Sequence, residues 1–148
     1  MITILGQKTG ALDIRVFDQS MPGDVLMEVI QLAKDCNIGE PFDRTCDLVY
    51  LWVIDNKIVG VAAFKRYEFS PTNVVPRMEH IFGPKHVQKT MRGVKFLLSC
   101  IADIKERGYK QVWCYIAPEK QYMKVLADKF GFKSYAKDDS GEFFIKDL

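Results

Sequence analysis

At 148 residues, 48% of them hydrophobic and 27% charged, the chain has the size and make-up that bury one core without metals or disulfide staples. Its formal net charge of +2 supplies no general field for a polyanion, and no apolar run is long enough to span a bilayer. We therefore expect a single soluble domain over residues 1–148, with neither a membrane nor nucleic acid as partner. A cytoplasmic location is expected because Met1 to Gly10 lacks the basic-then-apolar pattern of a secretory leader. Cys36, Cys46, Cys100 and Cys114 form no Cys-x-x-Cys pair, so they read as reduced, mostly buried thiols, and no metal is expected.

In chain order, Met1 to Leu5 and Asp13 to Phe17 are β-prone and read as one interrupted strand or as two. Pro22 and Asp24 then open a helix with Val25, Leu26, Val29, Ile30 and Ala33 on one face, stopped by Asn37 to Gly39. "EPFDRTCD" reads as a short helical turn. Val49 to Ile54 and Lys57 to Lys65 form a hairpin over Asp55-Asn56, two residues that tolerate positive φ. A loop at Phe69 to Asn73 leads to a strand over Val74 to Phe82, broken by "GPKH". Val94 to Arg107 is a long helix with Phe96, Leu97, Cys100, Ile101 and Ile104 as its apolar stripe and Gly108 as its stop. Gln111 to Ala117 is a nearly continuous apolar run, the pattern of a strand buried on both faces, which assigns Trp113 and Tyr115 to the core. A helix over Glu119 to Phe130 ends at Gly131, and Phe132 to Ala136 and Phe143 to Lys146 form a hairpin around "KDDSG". The expected architecture is α/β (α+β), a mixed twisted sheet with helices on both faces.

"QKTMRG", Gln88 to Gly93, stands directly before the long helix. Two readings compete there. A helix start presents unpaired N–H groups and a positive dipole end to an anion, and Lys89 and Arg92 add charge. The plainer reading is an exposed helix start that happens to carry basic residues at its less favoured end. The whole element order favours the anion site.

That order, with "QKTMRG", "KERG" at Lys105 to Gly108 and "VLADKFGF" at Val125 to Phe132, resembles the GNAT superfamily of N-acyltransferases over most of the chain. Its C-terminal half is also similar to GNAT-like proteins carried by some tailed bacteriophages. The resemblance implies acetyl-CoA as acyl donor and an amine acceptor whose identity is not legible. It implies pyrophosphate binding by Gln88, Lys89, Thr90, Met91, Arg92 and Gly93, and strand-like pairing of the acyl donor with Ile81, Phe82 and Gly83. Met91 stands where the family motif Gln/Arg-x-x-Gly-x-Gly/Ala has its first glycine, so the resemblance implies a phosphate cradle that is altered, narrowed by Met91, or absent. Lys120 replaces a frequent asparagine, and Ala127 replaces the tyrosine that protonates the departing thiolate. These departures also suit a GNAT-fold protein that no longer acylates and serves as a binding or assembly component.

Within "VVPRMEHIF", Glu79 and His80 are expected on opposite faces because side chains alternate along a strand. Glu79 is the candidate base for the amine, its competing role being an ion pair with Arg77 or Lys85. His80 reads as a hydrogen-bonded structural imidazole. Tyr122 is the nearest aromatic hydroxyl to Ala127 on the same helix, either the acid or a surface packing residue.

Overall fold

The structure, a computed structural model, describes residues 12–84 and 91–148 and the backbone of residues 3–4. β1 (Thr3–Ile4) pairs antiparallel with β2 (Asp13–Phe17), so the N-terminal β-prone stretches are two strands. α1 (Gly23–Asp35) buries Val25, Val29 and Ala33, with Leu26 and Ile30 packed beside them, because residues three to four apart share one helical face. The helical turn expected in "EPFDRTCD" is reduced to one turn at Arg44 and Thr45, closed by the Cys46 N–H donating to the Asp43 carbonyl at 3.3 Å, and no helix forms there. Asp43 Oδ1 instead accepts the Thr45 backbone N–H at 2.8 Å and the Thr45 hydroxyl at 2.5 Å, and such local bonds compete with helix by occupying its donors.

β3 (Leu48–Ile54) and β4 (Lys57–Ser70) close at Asp55 and Asn56, whose φ angles of 50° and 63° suit the left-handed corner of a tight hairpin. β4 runs past the expected Lys65 to Ser70 and pairs with β5 (Asn73–Phe82), so the expected loop shrinks to a tip at Pro71 and Thr72. α2 (Met91–Glu106), β6 (Gln111–Ile116), α3 (Gln121–Lys129), β7 (Lys133–Asp138) and β8 (Gly141–Asp147) complete the chain.

The strands form one sheet in the order β1-β2-β3-β4-β5-β6-β8-β7, antiparallel at every described pairing except β5 with β6. It is a mixed sheet with α1 on one face and α2 and α3 on the other, as expected. The predicted stripe of α2, Phe96, Leu97, Cys100, Ile101 and Ile104, is wholly buried against Tyr50, Trp52 and Phe64. Phe96, Leu97, Ile101 and Ile104 each contribute about 1.5–3 kcal/mol by leaving water. A second cluster seals α1 onto the opposite face around Val49, Leu51, Val61 and Phe82. No helix among the described residues is long and apolar enough to cross a membrane.

β6 departs from its expected burial on both faces. Only Val112, Cys114 and Ile116 are buried, and Trp113 and Tyr115 alternate onto the α1 side of the sheet. α1 packs over β4, further along that face, so Trp113 lies between Phe69 and Tyr135, at ring distances of 4.8 and 6.4 Å. These two neighbours are 53% and 74% exposed, which makes this an aromatic surface and not core.

Candidate active site

β5 and β6 pair only at Arg77 with Trp113 and at Met78 with Cys114. Beyond those residues β5 stays bonded to β4, through Ile81 to Ala62 and Phe82 to Val61, while β6 stays bonded to β8. The two parallel strands therefore diverge, and a cavity of about 800 Å³ opens between them. Its walls include Met78 to Gly83 on one side and Cys114 to Ala117 on the other, so the predicted Ile81, Phe82 and Gly83 all border it. Gly93, in the first turn of α2, also lines the cavity, and that turn holds no acidic residue to offset the positive end of the helix. Gln88, Lys89 and Thr90 lie outside the described residues. Met91 and Arg92 are exposed, Met91 being 72% exposed, and neither is among the residues lining the cavity, while most of the loop that Met91 is expected to narrow lies outside the described residues.

Glu79 is the extra residue of a β-bulge. In the ladder Ala63 faces His80 and Phe64 faces Met78, which leaves Glu79 without an opposite number. The bulge breaks the alternation expected of the strand, and Glu79 and His80 fall on the same side of the sheet, not on opposite sides. His80 stacks on Phe42 of the α1 cluster, ring centroids 5.1 Å apart. Glu79 reaches Tyr67 and Arg77, and Tyr67 lies on the α1 side by its period-two spacing from buried Ala63.

One carboxylate oxygen of Glu79, Oε1, carries each hydrogen bond and ion pair that Glu79 makes among the described residues. It accepts from the Tyr67 hydroxyl at 2.9 Å and from Arg77 Nε at 3.0 Å, with Arg77 Nη2 at 2.9 Å. The ion pair with Arg77 is thus real, Lys85, its other expected partner, lies outside the described residues, and Oε2 has no partner among the described residues. Burial and then the bond to Glu79 push the Tyr67 hydroxyl above its ordinary range, so Tyr67 stays protonated as a donor. Tyr67 is the residue that sequence reasoning missed. It lies twelve positions from Glu79, and only the unforeseen extension of β4 brings the two together.

His80 has the structural role expected of it. Its Nε2 accepts the Asp43 backbone N–H at 3.0 Å, which ties β5 to the segment before β3 and puts the proton of the neutral ring on Nδ1. Glu40 Oε1 stands 3.6 Å from that Nδ1, too far for a hydrogen bond. The same segment titrates. The Thr45 hydroxyl, chiefly, holds the Asp43 carboxyl below its ordinary 3.8. A lowered carboxyl pKa adds stability that is complete above the unfolded value and lost as pH falls through the folded one. The stability gap between wild type and Asp43→Ala is therefore expected to close as pH drops below about 4, measured by urea unfolding across that range.

Tyr122 borders the cavity and is 40% exposed, and Lys120, the N-cap of α3, borders it too. Ala127 is buried in the wall, where an alanine offers no proton. Cys114 also lines the cavity, but burial pushes its thiol up to about 12, which leaves no thiolate nucleophile near neutral pH.

A mixed sheet whose one parallel pair among the described strands splays around a cavity, with a helix start at its edge, is the fold of the GNAT N-acetyltransferases. No family model matches the chain, and no curated protein matches it in sequence. In shape it is similar to an N-acetyltransferase from Staphylococcus aureus Mu50, at 10% identity and TM-score 0.72 over 93% of this chain and 98% of that one. A GNAT-family acetyltransferase from Listeria monocytogenes 4b F2365 agrees at 11% identity and TM-score 0.72, over 96% and 99% of the two chains. Arabidopsis thaliana Naa50, solved with the bisubstrate analogue CoA-Ac-MVNAL, agrees at 9% identity and TM-score 0.73, over 91% and 99%. At such identities the likeness defines the fold alone, and these bacterial and plant proteins do not bear on the bacteriophage likeness.

Proposed function

We propose that the chain is an N-acyltransferase that moves an acetyl group from acetyl-CoA to a primary amine by direct attack. The observation that carries this reading is the divergence of β5 and β6 beside a bulged carboxylate, one oxygen of which no described residue engages. Ile81 to Gly83 offer strand-type backbone pairing to an extended chain, and the start of α2 at Met91 to Gly93, with Gln88 to Thr90 assigned from the sequence motif, binds its pyrophosphate. The amine nitrogen forms the new bond to the thioester carbonyl carbon as the carbon–sulfur bond breaks. Glu79 Oε2 takes the proton the amine gives up, and Tyr122 supplies one to the departing sulfur. Holding both reactants in the cavity supplies much of the rate. Residues 1–148 act as one domain, and a cytoplasmic setting suits a donor that is an intracellular thioester.

The other reading, a GNAT-fold binding or assembly component, draws support from buried Ala127 and from the exposed aromatics Phe69 and Tyr135. Titration with acetyl-CoA separates the two. Saturating acetyl-CoA is expected to raise the Tm, because a ligand specific to the folded state stabilises it, and Gly93→Trp is expected to abolish the shift by filling the wall of the cavity. A folded wild-type protein whose Tm does not move with acetyl-CoA would exclude the acyltransferase.

A further inference from the structure

Arg77 is only half used by its contacts. Nε and Nη2 both address Glu79 Oε1, and the Tyr67 ring lies against the guanidinium, 4.5 Å from its central carbon to the ring centroid. A guanidinium carries five N–H donors in a rigid fork. The side-on edge, Nε with Nη2, is spent on Glu79. The end-on edge, Nη1 with the second hydrogen of Nη2, has no partner among the described residues. Arg77 also borders the cavity, immediately beside the carboxylate proposed as the base.

Resting on the acyltransferase reading, we propose that the acceptor is an amine that also carries a carboxylate, an amino acid, with the edge of Arg77 that no described residue occupies holding the carboxylate and Glu79 Oε2 facing the amine. Two observations carry the assignment. The guanidinium plane is fixed on three sides, by the Tyr67 ring, by Glu79 and by its own strand, which is the preorganisation that planar bidentate recognition of a carboxylate needs. The site also presents one cation and one anion side by side, which matches a zwitterion. A simple monoamine answers only Glu79 and leaves charged donors of Arg77 facing a filled cavity without partners, an arrangement that disfavours binding. Glu40, the other carboxylate on this side of the cavity, stands beyond His80 and is 66% exposed in its side chain, so water screens it from an anion at Arg77.

The test uses the full chain and the protein L-amino acids, each compared with its amide. Binding is measured by calorimetry in the presence of CoA, and acetylation is measured with acetyl-CoA. At least one free acid is expected to bind about tenfold or more tightly than its amide, and to be acetylated with a correspondingly higher kcat/KM. Arg77→Lys keeps a positive charge beside Glu79 but loses the fork, so it is expected to bring the acid-to-amide ratio to about one. Damage to the base alone would lower both substrates equally and leave that ratio intact. Acids that bind no better than amides, or no acid binding at all, would overturn the proposal, as would an Arg77→Lys variant that retains the preference. The two readings fail separately. A protein that binds CoA without preferring carboxylates keeps the acyltransferase and loses the fork, whereas one that prefers free acids without binding CoA does the reverse.

Discussion

Glu79→Gln is expected to lower kcat by about a hundredfold or more near neutral pH while leaving the affinity for acetyl-CoA almost unchanged. The substitution is well suited to this site. The amide oxygen of glutamine can replace Oε1 and keep accepting from Tyr67 and Arg77, so the side chain remains in place at the bulge. What changes is the other position, where Oε2 becomes an amide nitrogen that donates hydrogen bonds and does not take up a proton. The loss is therefore of basicity and not of position. An ammonium ion is not nucleophilic, so raising the pH supplies free amine without help from the protein and is expected to recover part of the rate. Turnover at the wild-type level in the Glu79→Gln enzyme would remove Glu79 as the base.

The elements legible in the sequence are those set by local chemistry. Asp55 and Asn56 announced their hairpin because few residue pairs adopt left-handed φ together, and the stripe of α2 announced its buried face by helical spacing. Illegible features depend on what lies across the sheet. Trp113 and Tyr115 have the same apolar character whether or not a helix covers them, so the sequence could not reveal that α1 packs over β4 and leaves them on an aromatic surface. The bulge at Glu79 is a property of the pairing between β4 and β5, and no single strand encodes it. Its consequence is the candidate site: Tyr67, Arg77 and Glu79 meet because the extra residue turns Glu79 to the side that Tyr67 occupies.

Gly141→Ala is expected to destabilise the fold although it alters no side chain of the two core clusters. A Cβ at Gly141 would stand 2.6 Å from the Tyr115 ring and 2.7 Å from the Ile116 carbonyl oxygen, closer than real Cβ contacts come. Tyr115 has little freedom to retreat, since its ring packs on Phe143 at 4.7 Å and its hydroxyl is bonded to Asp138 and Ser140 in the turn between β7 and β8. The carbonyl has none, because Ile116 is held in register with Glu142. The added methyl therefore has to push β8 away from the end of β6, and overpacking of this kind costs about 1–3 kcal/mol. The effect should appear as a loss of roughly 2–12 °C in Tm. Tyr115→Ala in the same chain removes the ring but not the carbonyl, so it is expected to recover only part of the stability lost in Gly141→Ala. Tyr115 and Ile116 also border the cavity, and shifting the end of β6 changes the divergence from β5 that opens it. The Gly141→Ala protein should therefore bind acetyl-CoA more weakly even at temperatures where it remains folded. A variant that melts like wild type would mean that the end of β6 yields to the added methyl, and that the tie between Tyr115 and the last hairpin does not set the width of the cavity.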